Sequence, residues 1–162
     1  MKKARDEDWA WGYLTKLLSF SPRTEAELRK RLAAKGCPPE VVERVLEKAK
    51  QAKLVDDELF AWLYAEARLL SRPRSRKLLA QELRAKGLPE ELAARAAARA
   101  LPEFSERDLA EEALEQRLSL WQGLPEETRK RRAYNFLLRR GFPPPLAREV
   151  VEELVAGEGT CT

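Results

Sequence analysis

Histidine and isoleucine are absent from this 162-residue chain, and asparagine occurs once, as Asn135. Without histidine the chain lacks the side chain that most often acts as general base and metal ligand near neutral pH. Without isoleucine, and with little valine, it lacks much of the β-branched material from which strands are built. Its two cysteines, Cys37 and Cys161, follow no metal-ligand spacing and suggest no disulfide framework. With no secretory leader, a reducing cytoplasm is the expected compartment. None of the seven glycines lies in a GxGxxG or GxxxxGKS/T phosphate loop. No apolar run approaches the ~20 residues that span a bilayer, so no membrane partner is expected.

What remains is a chain of helix formers. Ala, Leu, Glu, Arg and Lys dominate, 44% of residues are hydrophobic and 36% are charged. That is apolar enough to build cores. The net charge of +4 is unevenly spread: +3 over residues 1–57, +3 over 58–103 and −2 over 104–162. A mild basic excess of this kind is compatible with an anionic partner without demanding one.

Three stretches align on a glycine: Ala34-Lys35-Gly36-Cys37-Pro38, Ala85-Lys86-Gly87-Leu88-Pro89 and Arg139-Arg140-Gly141-Phe142-Pro143. Leu32, Leu83 and Leu137 lie four residues before the glycine, and Val41, Leu92 and Leu146 five after it. Glycine at the end of a helix adopts positive φ without a Cβ penalty, and the cation before it complements the helix dipole. The apolar residue after it packs back on the helix, and the proline sits where the next helix begins. Thr24, Ser75 and Thr128 fall twelve or thirteen residues upstream of these glycines, and Thr24 with Glu27 spells a capping box. Each motif therefore predicts a helix of about three turns, a tight corner and a second helix.

A longer helix precedes each pair. The first is predicted over 7–19 with Trp11, Leu14 and Leu18 in line, and the second begins near Asp57 with Phe60, Tyr64 and Ala67 on one face. The third begins at Ser105, capped with Asp108, and aligns Ala110, Leu114, Leu118 and Trp121. The expected fold is all-α: three tandem three-helix repeats forming an elongated, curved array. The expected units are 1–56, 57–103 and 104–156, with 157–162 as a flexible tail. Each is small for an independent core, so stacking on neighbours is expected.

Little chemistry stands out. Cys37 occupies the place of Leu88 and Phe142 in the other repeats, which reads as a small core hydrophobe more readily than as a nucleophile. The pair Asp56-Asp57 reads as a helix cap, since a metal would need further oxygen ligands nearby. Two basic stretches remain. Arg68, Arg72, Arg74, Arg76 and Lys77 run without an acid between Glu66 and Glu82, and Arg129, Lys130, Arg131, Arg132, Arg139 and Arg140 without one between Glu127 and Glu149. Solvated helix faces are the bland explanation of each run, but their recurrence in repeats two and three favours an anionic partner. Arg72, Arg74, Arg76, Lys77, Arg129, Arg131, Arg132 and Arg139 are the candidate contacts. Asp56, Asp57, Phe60, Gly36, Gly87 and Gly141 are expected to hold the fold. Glu149, Glu152 and Glu153 would give the third repeat an acidic face opposite its basic one.

The run from Leu54 to Ala61, which contains the double aspartate, resembles the link between the first two repeats of the RecX family. Glu27 to Gly36 and Gln81 to Gly87 resemble that family's first two repeats, and the likeness covers residues 9–155 in order. The loop Ser71-Arg72-Pro73-Arg74 departs from it, since the family often carries a glycine there. The resemblance implies a non-enzymatic, cofactor-free regulator that lies along the groove of the RecA–DNA filament and touches more than one RecA protomer. It further implies restraint of ATP hydrolysis, strand exchange and the co-protease activity of the SOS response. Weak direct contact with DNA and a monomeric state are also expected. The competing readings are a stand-alone helical nucleic-acid binder and an adaptor for another protein.

Overall fold

The computed structural model describes residues 5–157. Among these residues there are nine α-helices, one 3₁₀ turn and no strand. The helices are α1 (Glu7–Phe20), α2 (Glu25–Ala34), α3 (Pro39–Gln51), α4 (Asp57–Ser71), α5 (Arg76–Ala85), α6 (Glu90–Arg99), α7 (Glu106–Leu118), α8 (Glu126–Arg139) and α9 (Pro144–Gly157), with the 3₁₀ turn at Ser119–Trp121 after α7. The segment expected as a tail lies, beyond Gly157, outside the described residues, as does Cys161.

The three glycine corners form as their sequences require. Gly36, Gly87 and Gly141 have φ of 89°, 91° and 89°. At each, the residue after glycine donates its N–H five residues back: Cys37 to Leu32 O at 3.2 Å, Leu88 to Leu83 O at 3.3 Å and Phe142 to Leu137 O at 3.1 Å. Glycine itself donates to the carbonyl three residues back, which completes the Schellman pattern. Cys37, Leu88 and Phe142 are all buried, so the corner also delivers an apolar side chain to the core.

By compactness the described chain forms two units: residues up to Leu63 with Glu82–Ala93, and Tyr64–Gln81 with the residues from Ala94 on. In the first, Ala10, Leu14 and Leu17 of α1 share a core with Leu28 and Leu32 of α2 and Val41, Val42, Val45, Leu46 and Ala49 of α3. In the second, Leu109, Ala110, Ala113 and Leu114 of α7 are buried, as are Ala133, Phe136 and Leu137 of α8 and Ala147, Val150, Val151 and Val155 of α9. Each leucine so buried contributes roughly 2 kcal/mol of transfer free energy.

Three local expectations are corrected. The inward line of α4 is Ala61, Ala65 and Leu69, whereas Phe60 and Tyr64 are half-buried on its flank and Ala67 is exposed. Small residues win the core position because the helix can then approach its neighbours closely. The α7 stripe ends at Leu118, and Trp121 is buried from the 3₁₀ turn instead, meeting Phe136 edge-on with ring centroids 6.2 Å apart. Thr128 caps nothing: α8 starts at Glu126 behind Pro125, which places Thr128 inside the helix.

Candidate interaction surface

Asp56 and Asp57 each cap a helix, but not the same one. Asp56 accepts from Leu59 N at 3.0 Å and so caps its own helix, α4. Asp57 accepts from the backbone N–H of Glu25 at 2.9 Å, the first residue of α2. Burial raises the Asp57 carboxyl from its ordinary value, and the Glu25 N–H opposes that only in part. Burial also pushes up the neighbouring Glu25, but hydrogen bonds from Lys50 and Arg29 outweigh it and leave the carboxyl low. The double aspartate is thus the tie between the first repeat and the start of the second.

Two further ties start from the capping residues Thr24 and Ser75. Thr24, fully buried, accepts from Glu27 N at 3.2 Å and donates to Lys86 O at 2.6 Å. Its proton goes to the corner of the next repeat, and the Glu27 carboxylate pairs with Lys86 Nζ at 3.6 Å. Ser75 caps α5 by accepting from Leu78 N at 3.0 Å, and its own N–H donates to Arg140 O at 2.9 Å. Arg140 Nη1 donates in return to Pro73 O at 3.1 Å. In both cases the start of one repeat's middle helix seats on the cation–glycine corner of the following repeat.

The candidate cations divide accordingly. Arg74 is buried, with Nε donating to Arg72 O at 3.0 Å. Arg76 is committed as well: Nη1 meets Glu106 at 2.9 Å, and Nη2 donates to the carbonyls of Ala100, Leu101 and Phe104, each at 2.9 Å. That fork closes the loop after α6, where Leu101 stands at a φ of 45°. Both arginines, expected at a partner surface, are internal struts in this structure. Arg129 is half-buried. Arg72, Lys77, Arg131, Arg132 and Arg139 are exposed. The hydrogen bonds at Ser75 and Arg140 join the loop bearing Arg72 to the corner that follows Arg139, so the two basic stretches meet. On α8, Arg132, Asn135 and Arg139 recur at helical spacing along one exposed side.

The expected acidic face of the third repeat is internally matched. Arg107 of α7 pairs with Glu149 and Glu153, and Lys130 of α8 pairs with Glu152 at 3.4 Å. Phe136 belongs to the core, with Arg117 and Arg140 over its ring at 5.1 and 5.0 Å.

Sequence reasoning missed one basic feature. A cleft of about 550 Å³ is lined by Arg23, Lys30 and Arg31, by the pair Glu27–Lys86, and by the small residues Ala26, Ala34, Ala85 and Gly87. Glu25 and Glu27 alternate with these cations along the chain, and only helical spacing separates them. Among the described residues no group of three or more Cys, Asp or Glu is placed to hold a metal ion. No described helix is long and apolar enough to cross a membrane.

Three three-helix repeats, each closed by the same glycine corner and carrying exposed cations, define an all-helical repeat module. The chain belongs to the RecX family: models of the first, second and third RecX three-helix domains match residues 10–48, 56–96 and 105–151. It is 37% identical over 144 residues to Regulatory protein RecX of Thermobifida fusca (strain YX), covering 89% of this chain and 77% of the relative. It is 40% identical over 137 residues to Regulatory protein RecX of Amycolatopsis mediterranei (strain U-32), covering 85% and 78%. Of solved structures, a crystal structure of regulatory protein RecX aligns with TM-score 0.69 and 25% identity over 93% of this chain and 71% of that one. RecX from Lactobacillus salivarius shares the fold, with TM-score 0.71 and 17% identity over 92% and 96% of the two chains.

Proposed function

We propose that this chain is a non-enzymatic regulator that binds the RecA–DNA filament along its groove and lowers its ATPase, strand-exchange and SOS co-protease activities. Membership of the RecX family, whose relatives are named regulatory proteins, supports a regulator. The observation that carries the choice of surface is the seam at Ser75 and Arg140. It joins two basic stretches and leaves Arg72, Lys77, Arg131, Arg132 and Arg139 exposed, while Arg74 and Arg76 are used to build the frame. Exposed cations meet acidic protein surface or DNA phosphate, and binding should weaken with salt. Contacts from successive repeats to adjacent protomers would resist the movements that accompany ATP turnover.

The test is the single-stranded-DNA-dependent ATPase of RecA from the same source, with and without the protein. A fall at substoichiometric protein is expected. Charge reversal of Arg72, Lys77, Arg132 and Arg139 to Glu should abolish it without unfolding the chain. No change in ATPase, with no binding to preformed filaments, overturns the proposal. Tight duplex binding in the absence of RecA would instead favour a stand-alone nucleic-acid protein.

A further inference from the structure

The cleft beside α2 lies outside both basic stretches assigned to the filament. Arg23 precedes the helix, and Glu27, Lys30, Arg31 and Ala34 follow at spacings that set them along one side of it. The opposite wall is the Ala85-Lys86-Gly87 corner. Glu27 is neutralised there by Lys86 at 3.6 Å. Arg23, Lys30 and Arg31 have no ion-pair partner among the described residues. The Nε of Arg23 is in addition shut off from solvent with no acceptor. Three cations without an ion-pair partner thus border one concave site.

We propose that this cleft binds an acidic peptide segment of a partner protein, in extended form along α2. Ala26, Ala34, Ala85 and Gly87 make the uncharged part of the lining. Such a lining accepts the methylenes of Glu side chains while the cations take their carboxylates, and the arginines can do so with two parallel hydrogen bonds. Helix α2 from Glu25 to Ala34 rises about 14 Å, the length of about four extended residues. No aromatic side chain lines the cleft, so an unstacked base would find no platform. Because its walls come from the first repeat and the second repeat's corner, a bound segment would bridge the two repeats. The proposal does not depend on RecA being the partner, and its test contains no RecA.

A fluorescently labelled octaglutamate peptide is titrated with the full-length chain at low salt, and anisotropy is read. Saturable binding is expected, at least tenfold weaker in R23Q/K30Q/R31Q and unchanged in R131Q/R132Q/R139Q. The separate variant A34E, at an exposed helical position, should weaken it similarly by placing a carboxylate in the cleft. Circular dichroism and melting of each variant establish that the fold persists. Equal binding by wild type and both cleft variants overturns the proposal, and so does absence of binding by wild type. It is also overturned if a labelled oligothymidylate, and not the peptide, loses affinity in the cleft variants.

Discussion

The hydroxyl of Thr24 donates to the main-chain carbonyl of Lys86 at 2.6 Å, across 62 residues of sequence. One buried oxygen thereby caps α2 and anchors the next repeat's corner. Thr24→Val keeps the shape and leaves both Glu27 N–H and Lys86 O without that partner. It should cost about 2 kcal/mol in urea unfolding, whereas Thr24→Ser should retain most of the stability. Equal stability of the valine variant would show that water replaces the bond without loss.

The three glycines share a backbone conformation but not a neighbourhood. A Cβ at Gly87 would stand 2.2 Å from Ala26 Cβ, and one at Gly141 2.3 Å from Ser75 Oγ, while at Gly36 nothing lies within 4 Å. Gly36→Ala should therefore cost only the left-handed penalty, about 1 kcal/mol. Gly87→Ala and Gly141→Ala add a steric clash at a repeat junction and should cost about 3 kcal/mol or more. Equal melting of all three variants would refute the junctions.

Arg76 spans Glu106 with Nη1 and three carbonyls with Nη2, and the single nitrogen of lysine cannot occupy both places. Arg76→Lys and Arg76→Ala should each destabilise the chain by about 2–3 kcal/mol, because the freed carbonyls are left in a partly buried loop. Lys77→Ala, one residue away and exposed, should change stability by less than about 0.5 kcal/mol. Loss of inhibition by an Arg76 variant would therefore report on folding rather than on contact.

Asp57 gives a pH signature. Its carboxyl is raised by burial, so the folded chain holds that proton more tightly than the unfolded chain does. The stability this provides is present at low pH and is lost as pH rises through the raised folded value. Asp57→Asn keeps an acceptor for Glu25 N and carries no charge. It should match wild type below about pH 4 and equal or exceed it by pH 7, as read from urea midpoints across that range. Asp57→Ala should lose about 1 kcal/mol throughout.

The corners were legible in the sequence because their chemistry is local: a leucine, a cation, a glycine and an apolar residue decide a Schellman turn within six positions. The same holds for the Ser105–Asp108 capping box, where both reciprocal hydrogen bonds form. Local rules failed where a distant acceptor competed. Thr24 and Glu27 spell a box, yet only half of it forms: Thr24 caps Glu27 N, while the Glu27 carboxylate pairs with Lys86 instead. Arg76 reads as one more cation in a basic run until the end of α6 turns three carbonyls toward it. The cleft cations were hidden by averaging, since interleaved glutamates cancel their charge along the chain.

The first compact unit is discontinuous: residues up to Leu63 are completed by Glu82–Ala93. Thr24 therefore has no acceptor until Lys86 has been synthesised and has cleared the ribosome. At about 5–20 residues per second, the nascent first repeat waits for seconds with the Thr24 hydroxyl proton lacking its final acceptor. Translation cannot finish this protein one repeat at a time. The first unit has all of its residues only once the chain has reached about residue 93, well beyond the first repeat.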